Sequence, residues 1–305
     1  MSSSATLAEI GRPLVPHRSL WRYWRGGLRG SEFTWAIAFV VPYVAVFLAF
    51  VVYPVLYGLW MGSRPALYAE LFSDPIYQMT VANTLIFLVF GVNLKLFLAL
   101  MLSGFFMRPG WWTKLMLLIF VLPWAIPALP SFISNHWMLN GEWGLLNNAL
   151  YSLFGIDGPS WLNSRWLALG SAICSHLWKW TPFWTVILLA GRMSIPQDIY
   201  DAAKVDGATG LRSFMYVTFP LLANLYLVLT LLATIFLLGD FNSVFFVTGG
   251  GPANTTHLLA TLGIRDAYEM GHPELGVAAV MSALPLMIPV VIILMRKLKN
   301  TQVQL

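Results

Sequence analysis

Three ionisable residues lie where charge is costly: Lys95 and Lys179 within long apolar runs, and Asp240 at the end of another. A charged side chain at mid-membrane depth costs about 2.5–3.5 kcal/mol on insertion scales, so each needs a partner or a purpose. Ion-coupled transport needs carboxylates inside the membrane, and only the boundary residue Asp240 approaches that. An enzyme acting on lipid-linked sugar needs paired carboxylates, or Asp with His, at an interface, and no convincing spacing of that kind occurs. His17, His136, His176, His257 and His272 are scattered without ligand spacing. The single Cys174 excludes an internal disulfide and a thiol metal cluster. No GxxxxGK followed by Ser or Thr is present, so nucleotide binding in that manner is not expected. These residue types suit a chain that carries out no bond chemistry itself, with neither catalytic residues nor a metal site.

Composition names the elements that must position these groups. The chain is 58% hydrophobic and 10% charged, with mean hydropathy +0.71, against about 25% charged in a soluble domain. It reads as an all-α integral membrane protein. Six apolar runs of about the 20 residues a bilayer requires fall near 34–60, 82–106, 112–138, 166–191, 216–239 and 276–295. Basic residues set their direction, with thirteen of the Lys and Arg on one side and three on the other. The positive-inside rule then places both termini and the 195–220 loop in the cytoplasm. Lys95 reads as snorkelling or bound to a carbonyl. Pro123, Pro127 and Pro130, Pro182, and Pro285 and Pro289 interrupt the third, fourth and sixth runs. They fit either packing shape or a bundle with a central solvent-accessible pathway.

Residues 1–33 form a basic tail with Arg12, Arg18, Arg22, Arg25 and Arg29 among Trp21, Tyr23 and Trp24. A span follows at once, so attraction to anionic lipid is the better reading than nucleic-acid binding or a cleaved signal. Residues 34–78 hold the first span and its outer loop, 79–296 the transmembrane core, and 297–305 a short cytoplasmic tail. Two outer loops stand out. In 139–165, Leu145, Leu146, Leu150, Leu153 and Phe154 suggest an amphipathic helix closed by Gly155 and Gly158-Pro159. In 240–275, Gly249-Gly250-Gly251-Pro252 is a tight turn. Each is either a contact for a soluble partner or a structural cap.

The stretch that organises the chain is Ile195–Pro220, IPQDIYDAAKVDGATGLRSFMYVTFP. Ser194 as N-cap, Gln197 three residues on and Pro196 in the first turn predict a helix over 195–205. Ile195, Ile199, Ala202, Ala203 and Asp206 share one face, and the two alanines predict a shallow surface open to another protein. Gly207 ends the helix, and a second helical segment is expected from about Thr209.

Asp201-Ala202-Ala203, Asp206-Gly207-Ala208, Phe214 and Pro220 resemble the EAA coupling loop of binding-protein-dependent ABC transporter permeases. That family usually has Glu at position 201, Ile at 217 and Leu at 219. The likeness extends over about 80–296, through Leu122–Pro127, the Gly144-Leu145-Leu146-Asn147 turn, Trp178–Phe183, and Phe241 onward to Pro252. It is similar to the maltose-type carbohydrate permeases. The resemblance implies an ABC importer type I permease (MetI-like) core. It implies a second permease chain, two ATP-binding subunits that hold ATP and Mg, and an extracytoplasmic solute-binding protein, with no cofactor on this chain. Asp198, Asp201, Ala202, Ala203, Asp206, Gly207, Ala208 and Pro220 would meet the ATPase. Trp178, Lys179, Phe183, Phe236 and Asp240 would line the path of a sugar-like solute. Lys179 is unusual for a neutral sugar: it either pairs with Asp240 across the bundle or reads an anionic group on a modified sugar.

Overall fold

The computed structural model describes residues 31–302, so the arginines of the basic tail and residues 303–305 lie outside it. The chain divides into two compact units, Met1–Tyr57 and Gly58–Leu305. In the first, the described residues are helical, with a π-helical segment at Leu48–Val52. Its rings pair at i,i+4 spacing, Trp35 with Phe39 and Tyr43 with Phe47, and the side chains from Trp35 onward are largely exposed.

Among the described residues every regular element is helical. They are numbered α1 (Trp35–Met61), α2 (Pro65–Ser73), α3 (Pro75–Phe106), α4 (Trp111–Ala125), α5 (Ala128–Met138), α6 (Leu145–Phe154), α7 (Arg165–Met193), α8 (Gln197–Val205), α9 (Leu211–Leu238), α10 (Asn242–Thr248), α11 (Leu259–Ile264) and α12 (Pro273–Lys299). Four of them, α1, α3, α9 and α12, are long and apolar enough to cross a membrane. The expected continuous span at 112–138 is two helices, α4 and α5, bent by 96°. Counted as one crossing, they make five. The break follows from proline. Ile126, held before Pro127, is extended at φ −70°, ψ 140°, the conformation a following proline imposes, and Pro127 has no N–H to continue the ladder.

α7 is the remaining long helix, 29 residues with Arg165, Lys179 and Arg192 in it. Its polar content keeps it out of the apolar set. Its burial accounts for that content: Ser171, Ser175, His176, Lys179, Thr181 and Thr185 are all buried. A helix surrounded by protein needs no uniformly apolar surface, because its polar atoms can find partners. The main core packs α7 against α3, α5, α9 and α10 through Phe87, Leu96, Phe132, Leu169, Trp184, Leu188, Leu237 and Val244. A second cluster joins α2, α3, α11 and α12 through Leu71, Tyr77, Leu259, Leu262 and Ala278.

The two loops take the local forms expected of them. α6 ends at Gly155 with φ +67°. Asn147 fastens that loop, donating to Gly141 O at 2.8 Å and accepting from Trp161 Nε1 at 2.8 Å. The 249–252 turn has Gly249 and Gly250 at φ +60° and +79°, and a Cβ on Gly250 would stand 2.1 Å from the His257 ring. Asn83 of α3 donates to Thr255 O (2.8 Å) and His257 O (3.2 Å), tying this loop to the bundle.

Candidate coupling loop and membrane-embedded polar residues

α8 starts at Gln197, two residues later than expected, with Pro196 as N-cap and no side-chain cap. The capping box does not form. Ser194 is instead the C-cap of α7, and its hydroxyl donates to Gly191 O at 2.7 Å. The Gln197 amide turns to Asp201 Oδ1 at 3.3 Å. α7 runs far enough to claim the serine, and a hydroxyl bonded back into the preceding turn is not available to cap the next helix.

Gly207 closes α8 at φ +77°, and Ala208 N donates to Ala203 O at 2.8 Å. Asp198, Asp201, Ala202, Asp206, Gly207 and Pro220 are exposed and Ala208 is half-buried. Ala203 is buried within the chain, so only Ala202 of the pair presents the shallow open surface. Lys204 Nζ donates to Asp201 Oδ1 at 2.7 Å. That ammonium, and then the Gln197 amide, hold the Asp201 carboxyl below its ordinary range. Met193, Ile199, Val205 and Leu211 are exposed in and beside the loop, Val205 at 88%. The loop therefore offers apolar side chains among carboxylates, as a protein-docking surface does.

Inside the bundle, Lys179 and Asp240 do not pair. Lys179, 1% exposed, donates to Pro123 O at 2.7 Å and to Ile126 O. These are carbonyls at the C-terminal end of α4, freed where the α4–α5 ladder breaks. A helix C-terminus carries unpaired carbonyls and partial negative charge, so an ammonium satisfies it without any carboxylate.

Asp240 belongs to a different network. His176 Nδ1 lies 2.7 Å from Asp240 Oδ2, and His176 Nε2 lies 3.1 Å from Lys95 Nζ. Ser243 donates its hydroxyl to Asp240 Oδ2 and its N–H to Oδ1 at 3.1 Å. With Nδ1–H turned to the carboxylate, Nε2 accepts from the ammonium. Lys95 also stands over the Trp184 ring at 5.3 Å. Lys95 thus neither snorkels nor binds a carbonyl. The sequence reading missed His176, yet a signal existed: Ser171, Ser175, His176 and Lys179 fall at three- and four-residue spacing along α7.

The aromatic residues divide. Trp124 stacks on Phe183 with centroids 5.5 Å apart, Phe183 meets Trp184 at 5.2 Å, and Trp184 meets Phe236 at 6.3 Å. Phe236 is 62% exposed at the end of that row. Trp178 instead lines a cavity of about 670 Å³ between α5 and α7 and a second of about 400 Å³ beside α4. Lys179, Phe183, Phe236 and Asp240 line neither of these two cavities.

Apolar α3 and α9 packed on the largely buried polar α7, with the short exposed α8 between α7 and α9, mark a multi-pass membrane protein. Residues 95–299 match the family described as binding-protein-dependent transport system inner membrane component. The chain belongs to that family, whose members are the non-catalytic membrane subunits of ABC transporters. It is 30% identical over 252 residues to the trehalose/maltose transport system permease protein MalF of Thermococcus litoralis, covering 78% of this chain and 85% of that one. It is 35% identical over 196 residues to the sulfoquinovosyl glycerol transport system permease protein SmoG of Agrobacterium fabrum, covering 63% and 62%. It is 30% identical over 259 residues to the lactose transport system permease protein LacF of Rhizobium radiobacter, covering 80% and 86%. Its fold is that of a bacterial ABC transporter chain involved in the import of the acidic polysaccharide alginate. That match has TM-score 0.75 and 22% identity, covering 92% of this chain and 99% of that one. The resemblance to maltose-type carbohydrate permeases read from the sequence holds.

Proposed function

We propose that this chain is one of two permease subunits of an ATP-driven importer for a sugar or sugar derivative delivered by an extracytoplasmic binding protein. Two separate ATPase subunits bind ATP and Mg and dock on the 195–220 loop. Their closure moves α8 and rocks the bundle between inward- and outward-facing states. The observation that carries this reading is the exposed α8 with its apolar and acidic side chains, joined directly to buried α7 and apolar α9. α7 crosses the membrane with the other five long segments, giving six crossings and both termini in the cytoplasm of a bacterial inner membrane. The sugar class is supported by the relatives named for trehalose/maltose, lactose and sulfoquinovosyl glycerol. Trp178, Phe183 and Phe236 offer flat apolar faces to a sugar ring, while Asp240 lies apart from them, bonded to His176 and Ser243. The Lys179 ammonium is occupied by two backbone carbonyls, which favours a neutral solute. The likeness to the sulfoquinovosyl glycerol permease is the observation in favour of an anionic one.

The test is co-expression with candidate ATPase and permease partners, followed by co-purification and uptake into vesicles. Gly207→Pro cannot adopt φ +77°, and Asp201→Lys reverses the loop's charge. Both are expected to abolish co-purification of the ATPase. Uptake that follows an ion gradient in ATP-depleted vesicles overturns the proposal.

A further inference from the structure

The last turn of α7 holds an arginine that no carboxylate neutralises among the described residues. Arg192, 8% exposed, donates from Nε to Ser103 Oγ at 2.8 Å and from Nη2 to Leu100 O at 2.9 Å. Ser103 Oγ in turn donates to the same Leu100 O at 2.7 Å, so the three groups close a ring on α3. A Cβ on Gly104 would stand 3.4 Å from the guanidinium carbon, so the glycine leaves room for the flat group. The Phe214 ring centroid lies 5.5 Å from that carbon. Arg192 precedes the 195–220 loop by three residues, and Phe214 lies on the returning leg, at the start of the π-helical segment Phe214–Thr218. Tyr200 of α8 reaches the same segment, its hydroxyl 3.2 Å from Thr218 Oγ1.

We propose that Arg192 is the positioning residue that clamps both legs of the 195–220 loop to α3 and carries the loop's displacement into the bundle. The contacts form one continuous physical path. Tyr200 joins α8 to the returning leg, Phe214 joins that leg to Arg192, and Arg192 joins the outgoing leg to Leu100 and Ser103. α3 then bears Lys95, which reaches His176 and Asp240. A guanidinium suits the task because its planar, rigid fork fixes direction as well as distance, whereas an ammonium is a point charge on a flexible stem. The proposal rests on reading the loop as the ATPase contact.

The experiment uses the assembled transporter in vesicles and reads solute taken up per ATP hydrolysed. Arg192→Lys keeps the charge but replaces the fixed two-nitrogen fork at Ser103 and Leu100 with a single ammonium on a shorter, flexible stem. It is expected to retain the ATPase subunits and their hydrolysis while uptake per ATP falls about tenfold. Ser103→Ala removes one member of the ring and is expected to lower the ratio two- to threefold, and it decides the matter if Arg192→Lys does not assemble. A ratio unchanged in the variants that assemble overturns the proposal, as does a parallel fall of uptake and hydrolysis, which marks packing alone. Failure of the functional reading itself would already appear in the wild type, as uptake that does not require ATP.

Discussion

Removing the Asp240 carboxylate should expose how the bundle tolerates a buried lysine. Lys95 and Asp240 do not touch; His176 stands between them, with contacts of 3.1 Å and 2.7 Å. All three side chains are buried, Asp240 with 8% of its side chain exposed and Lys95 with 2% of the residue exposed. Taking away one charge of a buried pair leaves the other uncompensated, at about 3–5 kcal/mol. Each kcal/mol moves the melting temperature by about 2–4 °C in a domain of about 150–250 residues and by less in a larger one, so Asp240→Ala should lower it by at least several degrees. Lys95→Met alone should cost a similar amount, since His176 then has a lone carboxylate beside it. The double variant removes both charges and should recover much of the loss. A double-mutant cycle is therefore expected to show a coupling of about 2–3 kcal/mol. The assay is thermal denaturation of the purified transporter in lipid nanodiscs, followed by size-exclusion chromatography. Additive losses, or an Asp240→Ala protein that melts like the wild type, would refute the reasoning.

Lys179→Met leaves the Pro123 and Ile126 carbonyls dry, about 1–3 kcal/mol each before the relief of no longer burying an ammonium, so melting should fall by a few degrees with solute preference unchanged. Unchanged melting with a changed solute preference would show that the lysine meets the solute. Gly250→Ala sets a methyl group 2.1 Å from the His257 ring at φ +79° and should cost about 2 kcal/mol or more in the same melting assay. Burial, and then the Arg265 charge, push His257 down to about 4. The unfolded chain takes up that proton near pH 6.5 and the folded one does not, so stability is full above 6.5 and falls as pH drops toward 4, by about 3 kcal/mol at most. His257→Gln should flatten that pH dependence of melting.

The features legible in the sequence are those that neighbours in the chain decide. Gly155 and Gly249–Gly250 close their turns because positive φ favours glycine, and Gly207 ends α8 for the same reason. The exposed loop between apolar runs is legible because a polar stretch flanked by membrane-length apolar runs must lie in water. The capping box was a local inference too, and it failed because α7 extended far enough to take Ser194 for its own end. Helix boundaries are set by whichever neighbour reaches a residue first, and spacing alone does not rank the contenders.

The partners of the buried charges were not legible, and the reason is physical. Lys179 invited a carboxylate partner because opposite charge is the only neutraliser visible in a string of side chains. The structure uses backbone instead. Pro127 breaks a helix 52 residues before Lys179 in the chain, and that break creates acceptors no residue letter records. The same proline that ruined the expected single span at 112–138 therefore supplied the lysine's partners. Two sequence puzzles, an interrupted span and an unpaired cation, were one feature. Asp240, relieved of Lys179, is free to orient His176, which ties Lys95 of α3 to α7 and α10. A buried charge in a helix bundle is thus evidence about its neighbours' backbone breaks as much as about its neighbours' side chains.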